Sequence, residues 1–326
     1  MQASDSAGIA LIKYLSFFQI KSFFTYVILL VALFVSINTL LRPMPEIPRQ
    51  GRTIIIYVNI SGKHLFMATP THANLPQCPF QTLRPYLRNY CLWTTTTRNV
   101  YVCDIPTNFG CNLSPGAYVL KARTTTWEID LMLAAGSDCA VTPLVVVTGT
   151  NPLWGPQNLD GFLMNYETPI LEYLKSCDGT TKDLLAKQFL EILTRLHQKG
   201  IIHGDAKLLN VVASRSSHGP LLVDFEFSQY MRDVRFNQFQ NIPVMYTSPA
   251  RIRSPLSQWN PIKKEDDLWA GGITAWEIAT GERAFGDMEE DDIEEVLRKG
   301  QVKLDMTKVD SSLRGTILDW LKRGNK

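Results

Sequence analysis

The chain has 326 residues, with 33 basic and 31 acidic side chains, and carries a net charge of +2. That balance, without any basic stripe interleaved with aromatics, excludes a general nucleic-acid binder. A hydrophobic content of 45% excludes wholesale disorder and leaves room for one large domain or two smaller ones.

The first element in chain order is an uncharged run, "SFFTYVILLVALFVSINTLL", at residues 22–41. A helix of this length spans about 30 Å, the thickness of a bilayer core. The run therefore predicts a single-pass transmembrane helix between a tail at 1–21 and a linker at 42–52. A cleaved signal peptide fits less well, because the run is long and no small-x-small site follows it. Lys13 and Lys21 precede the run and Arg42, Arg49 and Arg52 follow it, so the charges leave the membrane and the orientation open. Two sequons, Asn59-Ile-Ser61 and Asn112-Leu-Ser114, would accept N-glycans if the following part were luminal. Cys78, Cys91, Cys103 and Cys111 are clustered in sequence and would suit disulfides in the same compartment. Free core thiols are the alternative, and no cysteine pair has zinc-site spacing.

Residues 52–60 and 64–68 read as strands about a Ser61-Gly62 turn, and 100–105 and 117–122 as two more. Residues 127–136 read as a short helix, then 144–149 and 161–166 as strands. Residues 70–99, with their prolines and the run Thr94–Thr97, fit no pattern. From residue 182 the period changes. Leu185, Phe189, Leu193 and Leu196 recur at helical spacing as far as Gly200. A strand follows at 221–227, then a buried apolar helix at 265–281. An exposed helix at 287–300 begins with acidic residues, which suits the helix dipole. The pattern predicts an α+β fold with a strand-rich front lobe at about 53–163 and a helix-rich back lobe at 168–326. The lobes are joined at 164–167, with a cleft near that connection.

The chemistry concentrates in "HGDAKLLN", residues 203–210, and in Asp224. Moving a phosphoryl group from ATP needs a carboxylate to orient the acceptor hydroxyl, oxygen ligands for magnesium and a cation for the phosphates. Asp205 is the candidate for the first role, and Asn210 and Asp224 for the second. If "LNVV" pairs with "LLVDF" about "ASRSSHGP", both metal ligands sit at the mouth of one hairpin.

From about residue 117 to 322 the chain resembles the eukaryotic protein kinase family. His203, Asp205, Lys207 and Asn210 match its catalytic-loop motif, and Asp224-Phe225 its D-F-G motif. "YTSPAR" (246–251) resembles the element closing the activation segment, and "DDLWAGGITAWEIATGERAF" a later helix whose aspartate, here Asp267, braces the catalytic loop. The resemblance implies a two-lobed fold using ATP and Mg2+ to phosphorylate a protein, with Ser/Thr preferred on account of Lys207. It assigns Asp205 and Lys207 to catalysis and Asn210 and Asp224 to metal binding. It assigns Lys121 to the ATP phosphates and Glu128 to a helix ion pair with Lys121. Met164, Asn165, Tyr166 and Glu167 would run along the adenine edge, with Val119 and Val212 lining its slot. Two simpler readings remain: Lys121 as a strand-end surface lysine, and Glu128 as part of the capping box Thr125-Thr126-Trp127-Glu128.

The chain also departs from the family. No G-x-G-x-x-G is present, and "NFGCNLSPGAY" offers only Gly110 and Gly116 close before Lys121. Gly204 replaces an arginine that serves activation-segment phosphorylation, Glu226 replaces the D-F-G glycine, and Ala250 replaces a glutamate whose arginine partner is also missing. Pro243 stands where a Ser/Thr-type threonine is usual. These departures support an alternative reading as a pseudokinase, a membrane-tethered binding module. A small-molecule phosphotransferase also uses H-G-D, but "DLWAGG" and "YTSPA" argue against it.

Overall fold

The computed structural model describes residues 57–60, 63–66, 71–94, 99–149, 158–233, 243–254 and 261–326. The apolar run at 22–41, the linker at 42–52 and the Ser61-Gly62 turn lie outside the described residues. Among the described residues no helix is long and apolar enough to cross a membrane. The chain divides into two compact units, Met1–Met67 and Ala68–Lys326. In the first, β1 (Tyr57–Ile60) and β2 (Lys63–Phe66) pair antiparallel with each other.

The second unit begins with β3 (Gln77–Pro79), α1 (Phe80–Leu83), β4 (Leu87–Thr94) and β5 (Asn99–Ile105). Then follow β6 (Gly116–Thr125), α2 (Thr126–Ala135), β7 (Pro143–Thr148) and β8 (Asn158–Asn165). The strands make one six-stranded sheet in the order β3-β7-β8-β6-β5-β4. Only β3, beside β7, runs parallel to its neighbour. The expected strands at 100–105, 117–122, 144–149 and 161–166 are β5 to β8, and the expected helix is α2. The stretch that fitted no pattern supplies β3, α1 and β4. Its strands are short or bulged, with two register shifts between β4 and β5, so no clean alternation marks them.

Alternation along β6 sorts its side chains onto two faces. Val119 joins the cluster beneath α2 with Ile129, Met132 and Phe162. Tyr118 and Leu120 join an outer cluster with Cys78, Leu83, Cys103 and Val145.

The remaining elements are β9 (Thr168–Pro169), α3 (Ile170–Tyr173), α4 (Gly179–Gln198), β10 (Ile201–Ile202), β11 (Val211–Ala213) and β12 (Pro220–Leu222). They continue with β13 (Gln229–Tyr230), α5 (Pro249–Arg253), α6 (Lys264–Thr280), α7 (Glu290–Arg298) and α8 (Ser311–Gly324). Asp178 caps α4, accepting the Thr181 N–H at 2.8 Å, and Leu185, Phe189, Leu193 and Leu196 face inward as their spacing predicts. Helix α6 is buried from Asp267 to Ala279. It lies between α4 and α8 at van der Waals range: a Cβ added to Gly271 would come 2.8 Å from both Leu193 and Trp320. Helix α7 buries only Ile293 and Leu297 and carries Glu290, Asp291 and Asp292 in its first turn, as its exposed pattern predicts.

One strand is shorter than expected. The run 221–227 pairs only through Leu222, and two residues later Asp224 has φ +64°. A left-handed residue turns the chain out of a ladder, so the segment leaves the sheet there and carries Asp224 toward β6.

Candidate active site

The expected hairpin is present. Val211, Val212 and Ala213 face Leu222, Leu221 and Pro220, and Val223 N–H donates to the Asn210 carbonyl at 3.0 Å. This ladder fixes Asn210 and Asp224 at one mouth. Within the preceding loop, Lys207 Nζ donates to Asp205 Oδ2 at 2.6 Å. Asn210 Nδ2 donates to the same oxygen at 2.8 Å and to the Asp205 carbonyl at 2.9 Å. Asp205 Oδ1 is buried and takes no hydrogen bond. Burial pushes the Asp205 carboxyl up; Lys207 opposes this and the neighbouring Asp224 adds to it.

The loop is braced from α6, as the resemblance implies. Asp267 accepts the His203 N–H at 2.7 Å, the Gly204 N–H at 2.8 Å and His197 Nε2 at 2.9 Å. Burial alone would raise this carboxyl, but the His197 hydrogen bond, the nearby imidazoles and the Gly204 N–H outweigh it and hold it below the usual range. Thr274 Oγ1, also on α6, donates to the Ala206 carbonyl at 2.9 Å.

Across the cleft, Lys121 is 5% exposed and is therefore not a surface lysine. Its Nζ donates to Glu128 Oε1 and, at 2.6 Å, to Asp224 Oδ1. The short Lys121-to-Glu128 spacing works because β6 ends at Thr125 and α2 starts at Thr126 with no loop between them. The ion-pair reading of Glu128 holds, and of the capping box the Thr125 half is formed. Its N–H is capped by Thr125 Oγ1 at 3.2 Å, while its carboxylate takes Lys121 and, at 2.6 Å, Thr124 Oγ1. Phe225 is fully buried with its ring 4.8 Å from that of His203, so Asp224 faces the cleft while Phe225 anchors the segment in the core.

The connection between lobes gathers the expected slot residues. Val119 pairs with Met164 across β6 and β8, Tyr118 pairs with Asn165, and Tyr166 N–H donates to the Ala117 carbonyl at 3.3 Å. Val212 pairs with Pro169, just past the connection, and packs on the cluster holding Val119 and Met164. Glu167 accepts the Arg215 N–H at 2.6 Å.

Three departures acquire physical reasons. Gly204 has φ +80°, and an added Cβ would lie 2.6 Å from the Phe227 carbonyl oxygen and 2.7 Å from Ile262. This backbone needs glycine whatever is lost in regulation. Glu226 is not among the described residues with positive φ, so nothing in the backbone asks for glycine there. The stretch "NFGCNLSPGAY" is not the phosphate cover. It joins the far ends of β5 and β6, where Ile105 faces Gly116, about 17 Å along the strand from Lys121. The start of β5 is what lies beside Lys121, since Asn99 and Val100 face Ala122 and Lys121. Residues 95–98, which precede it, lie outside the described residues.

Sequence reasoning missed two contacts. Arg251, next to the glutamate-less Ala250, donates from Nε and Nη2 to Asp266 of α6 at 2.8 and 2.5 Å, and so ties the "YTSPAR" element to α6. An arginine beside the motif and two adjacent aspartates were the available signal. Trp127 Nε1 donates to the Ser228 carbonyl at 3.1 Å, and Ser228 Oγ donates to the His203 carbonyl at 2.7 Å. This links α2 to the catalytic loop, and no sequence pattern announces it.

Among the described residues no cluster of three or more His, Cys, Asp or Glu side chains forms a ready metal cage. The donors present are the carboxylates of Asp205 and Asp224 and the Asn210 amide oxygen, whose nitrogen is committed to Asp205. Hard oxygen donors of this kind, few in number, suit an ion that brings phosphate and water ligands of its own.

Residues 164–321 match the protein kinase domain family. Mitogen-activated protein kinase kinase kinase 17 of Arabidopsis thaliana is 33% identical over 125 residues, 38% of this chain and 32% of that protein. Serine/threonine-protein kinase 1 of Lymantria dispar multicapsid nuclear polyhedrosis virus is 31% identical over 132 residues, 38% of this chain and 42% of that protein. Serine/threonine-protein kinase ROP17 of Toxoplasma gondii is 30% identical over 106 residues, 30% of this chain and 16% of that protein. The chain thus covers less than half the length of these relatives. The family match begins at Met164, and the front lobe meets that matched part through the Lys121–Glu128–Asp224 contact. With both lobes and the motif residues in place, the chain belongs to the eukaryotic protein kinase superfamily.

Proposed function

We propose that this chain transfers the terminal phosphate of ATP to a protein hydroxyl, with Mg2+ as the metal and Ser/Thr as the preferred acceptor. One observation carries the reading: Lys121 touches Glu128 and Asp224 at once, so the front-lobe cation already meets the back-lobe metal ligand. In this reading Asp205 orients the acceptor hydroxyl. Its raised proton affinity and its unpaired Oδ1 suit it to accept the hydroxyl hydrogen. Lys207 steadies the transferring group, Lys121 holds phosphate oxygens, and Asn210 and Asp224 offer oxygens to the metal. A bound metal would neutralise phosphate charge. Val119, Met164 and Val212 line the adenine slot, with residues 165–167 along its edge. Residues 22–41 tether the chain to a membrane.

The competing reading is a tethered binding module without turnover. It draws on the absence of a G-x-G-x-x-G run, on Glu226 in place of the D-F-G glycine and on Ala250. Purified chain incubated with Mg2+ and labelled ATP separates the two. Transfer to itself or to a generic protein acceptor, lost in Asp205→Ala, supports the enzyme. ATP binding without transfer in wild type and Asp205→Ala alike supports the module. Glycosidase sensitivity of the full chain at Asn59 or Asn112 would put the kinase part in a lumen.

A further inference from the structure

The outer face of the six-stranded sheet carries a group of thiols that phosphotransfer does not use. Cys78 on edge strand β3 is fully buried, and Cys103 on β5 is fully buried in the same cluster. Cys111, in the loop joining β5 to β6, is half-buried and packs on that cluster, near enough to Cys78 to help raise the proton affinity of its thiol. All three are free thiols; the Cys91 side chain lies outside the described residues. Cys103 sits inside a strand paired on both sides, which fixes its backbone. Cys111 sits outside any strand, in a loop at φ +66° beside Asn112 at +56°.

We infer that Cys78 and Cys111 are a disulfide-forming pair that staples the β5–β6 loop to the edge strand. With glutathione disulfide as oxidant, the half-exposed Cys111 sulfur displaces one glutathione thiolate and forms a mixed disulfide. Cys78 then attacks the Cys111 sulfur and releases the second. Two protein thiols become one disulfide and one oxidised glutathione becomes two reduced ones, so protons and electrons balance. Burial pushes the Cys78 thiol up to about 12, which makes its attack the slow step. The staple would also steady the segment leading into β3. There His72 donates its N–H to Asp130 of α2 at 2.8 Å, two residues from Glu128. Asn112, exposed beside Cys111 within a sequon, would carry a glycan in the same oxidising compartment.

The test uses the full chain in mild detergent, incubated with glutathione disulfide or with dithiothreitol, quenched in acid, unfolded and alkylated. Peptide mass spectrometry should find Cys78 joined to Cys111 only after oxidation, with the melting temperature raised by a few degrees. In Cys111→Ser both the link and the shift should vanish, while the reduced protein melts as wild type does. Full alkylation of Cys78 and Cys111 after oxidation overturns the inference, as does a Cys78–Cys103 link in wild type. None of these readouts depends on phosphotransfer.

Discussion

The catalytic loop of the back lobe is held by hydrogen bonds between residues close in sequence and by one buried carboxylate, Asp267, that takes two of its N–H groups. The front lobe holds Lys121 and Glu128 differently. Strand register places the first, a loop-free junction into α2 places the second, and Asp224 meets Lys121 from the other lobe. The first device is written in a short motif and tolerates little change. The second depends on a whole sheet, and many sequences satisfy it. This is consistent with the family match beginning only at Met164.

The comparison breaks most sharply at Asp205. If the back-lobe loop carries the chemistry, Asp205→Asn lowers phosphotransfer by roughly 10²–10⁴-fold with ATP affinity little changed. Steady-state kinetics beside a binding titration would read both. An equal loss of ATP binding would move the residue from chemistry to architecture.

In the front lobe the main effect should fall on stability and ATP affinity. Lys121→Met leaves Glu128, fully buried, with a charge that has lost its cation, at about 3–5 kcal/mol by urea unfolding. Adding Glu128→Gln should recover much of that loss without restoring ATP affinity. A single variant as stable as wild type would show that the pair is not the front lobe's support.

These differences explain what could be read in advance. Asp205, Lys207, Asn210, Asp224 and Asp267 were legible because a loop that must satisfy its own backbone has few solutions. The helix at 179–198 was legible from its apolar period, and the helix at 264–280 from an apolar run with charges only at its ends. Lys121 and Glu128 could be named but not settled, since a surface lysine and a capping glutamate leave the same sequence trace. The stretch at 70–99 fitted no pattern because β4 is bulged and invisible to alternation, which left the β5–β6 loop as the nearest glycines before Lys121. Gly204 read as a lost regulatory arginine, although the approach of the Phe227 carbonyl is what requires it. Contacts between distant segments leave no local pattern.

A second buried carboxylate in the back lobe sharpens the contrast through pH. Glu277 on α6 accepts only Tyr246 Oη–H at 2.7 Å and the Ala284 N–H at 3.2 Å, and burial pushes its carboxyl up to about 7. The folded chain then holds a proton that the unfolded chain, near the ordinary 4.5, has released. Between those values the folded state binds more protons, so this group's contribution is intact below about pH 4.5 and falls by roughly 3 kcal/mol as pH rises through 7. Glu277→Gln should remove that slope, seen as the difference between the two stability profiles. Parallel profiles would mean that the Glu277 carboxyl ionises in the folded chain as readily as in the unfolded one.

Gly204→Arg, which restores the family's residue, should cost about 1–3 kcal/mol, because the backbone at φ +80° and the Phe227 carbonyl leave no room for a Cβ. Thermal unfolding should show the loss without any gain from activation-segment phosphorylation. A stable Gly204→Arg protein would return the position to regulation.

The smallest effect tests whether the two devices are coupled at all. Trp127 Nε1 to the Ser228 carbonyl and Ser228 Oγ to the His203 carbonyl form a path from α2, which holds Glu128, to the loop that holds Asp205. Each bond is worth about 1 kcal/mol, so neither Trp127→Phe nor Ser228→Ala should unfold the chain. If the path orients α2 against the catalytic loop, either change breaks it, and turnover in the double variant should be no lower than in the worse single one. If the two bonds only stabilise their own surroundings, their effects on turnover should multiply, as for independent sites. The edge-on packing of Trp127 against Tyr230, with ring centres 5.6 Å apart, can survive Trp127→Phe, which confines the comparison to the lost N–H.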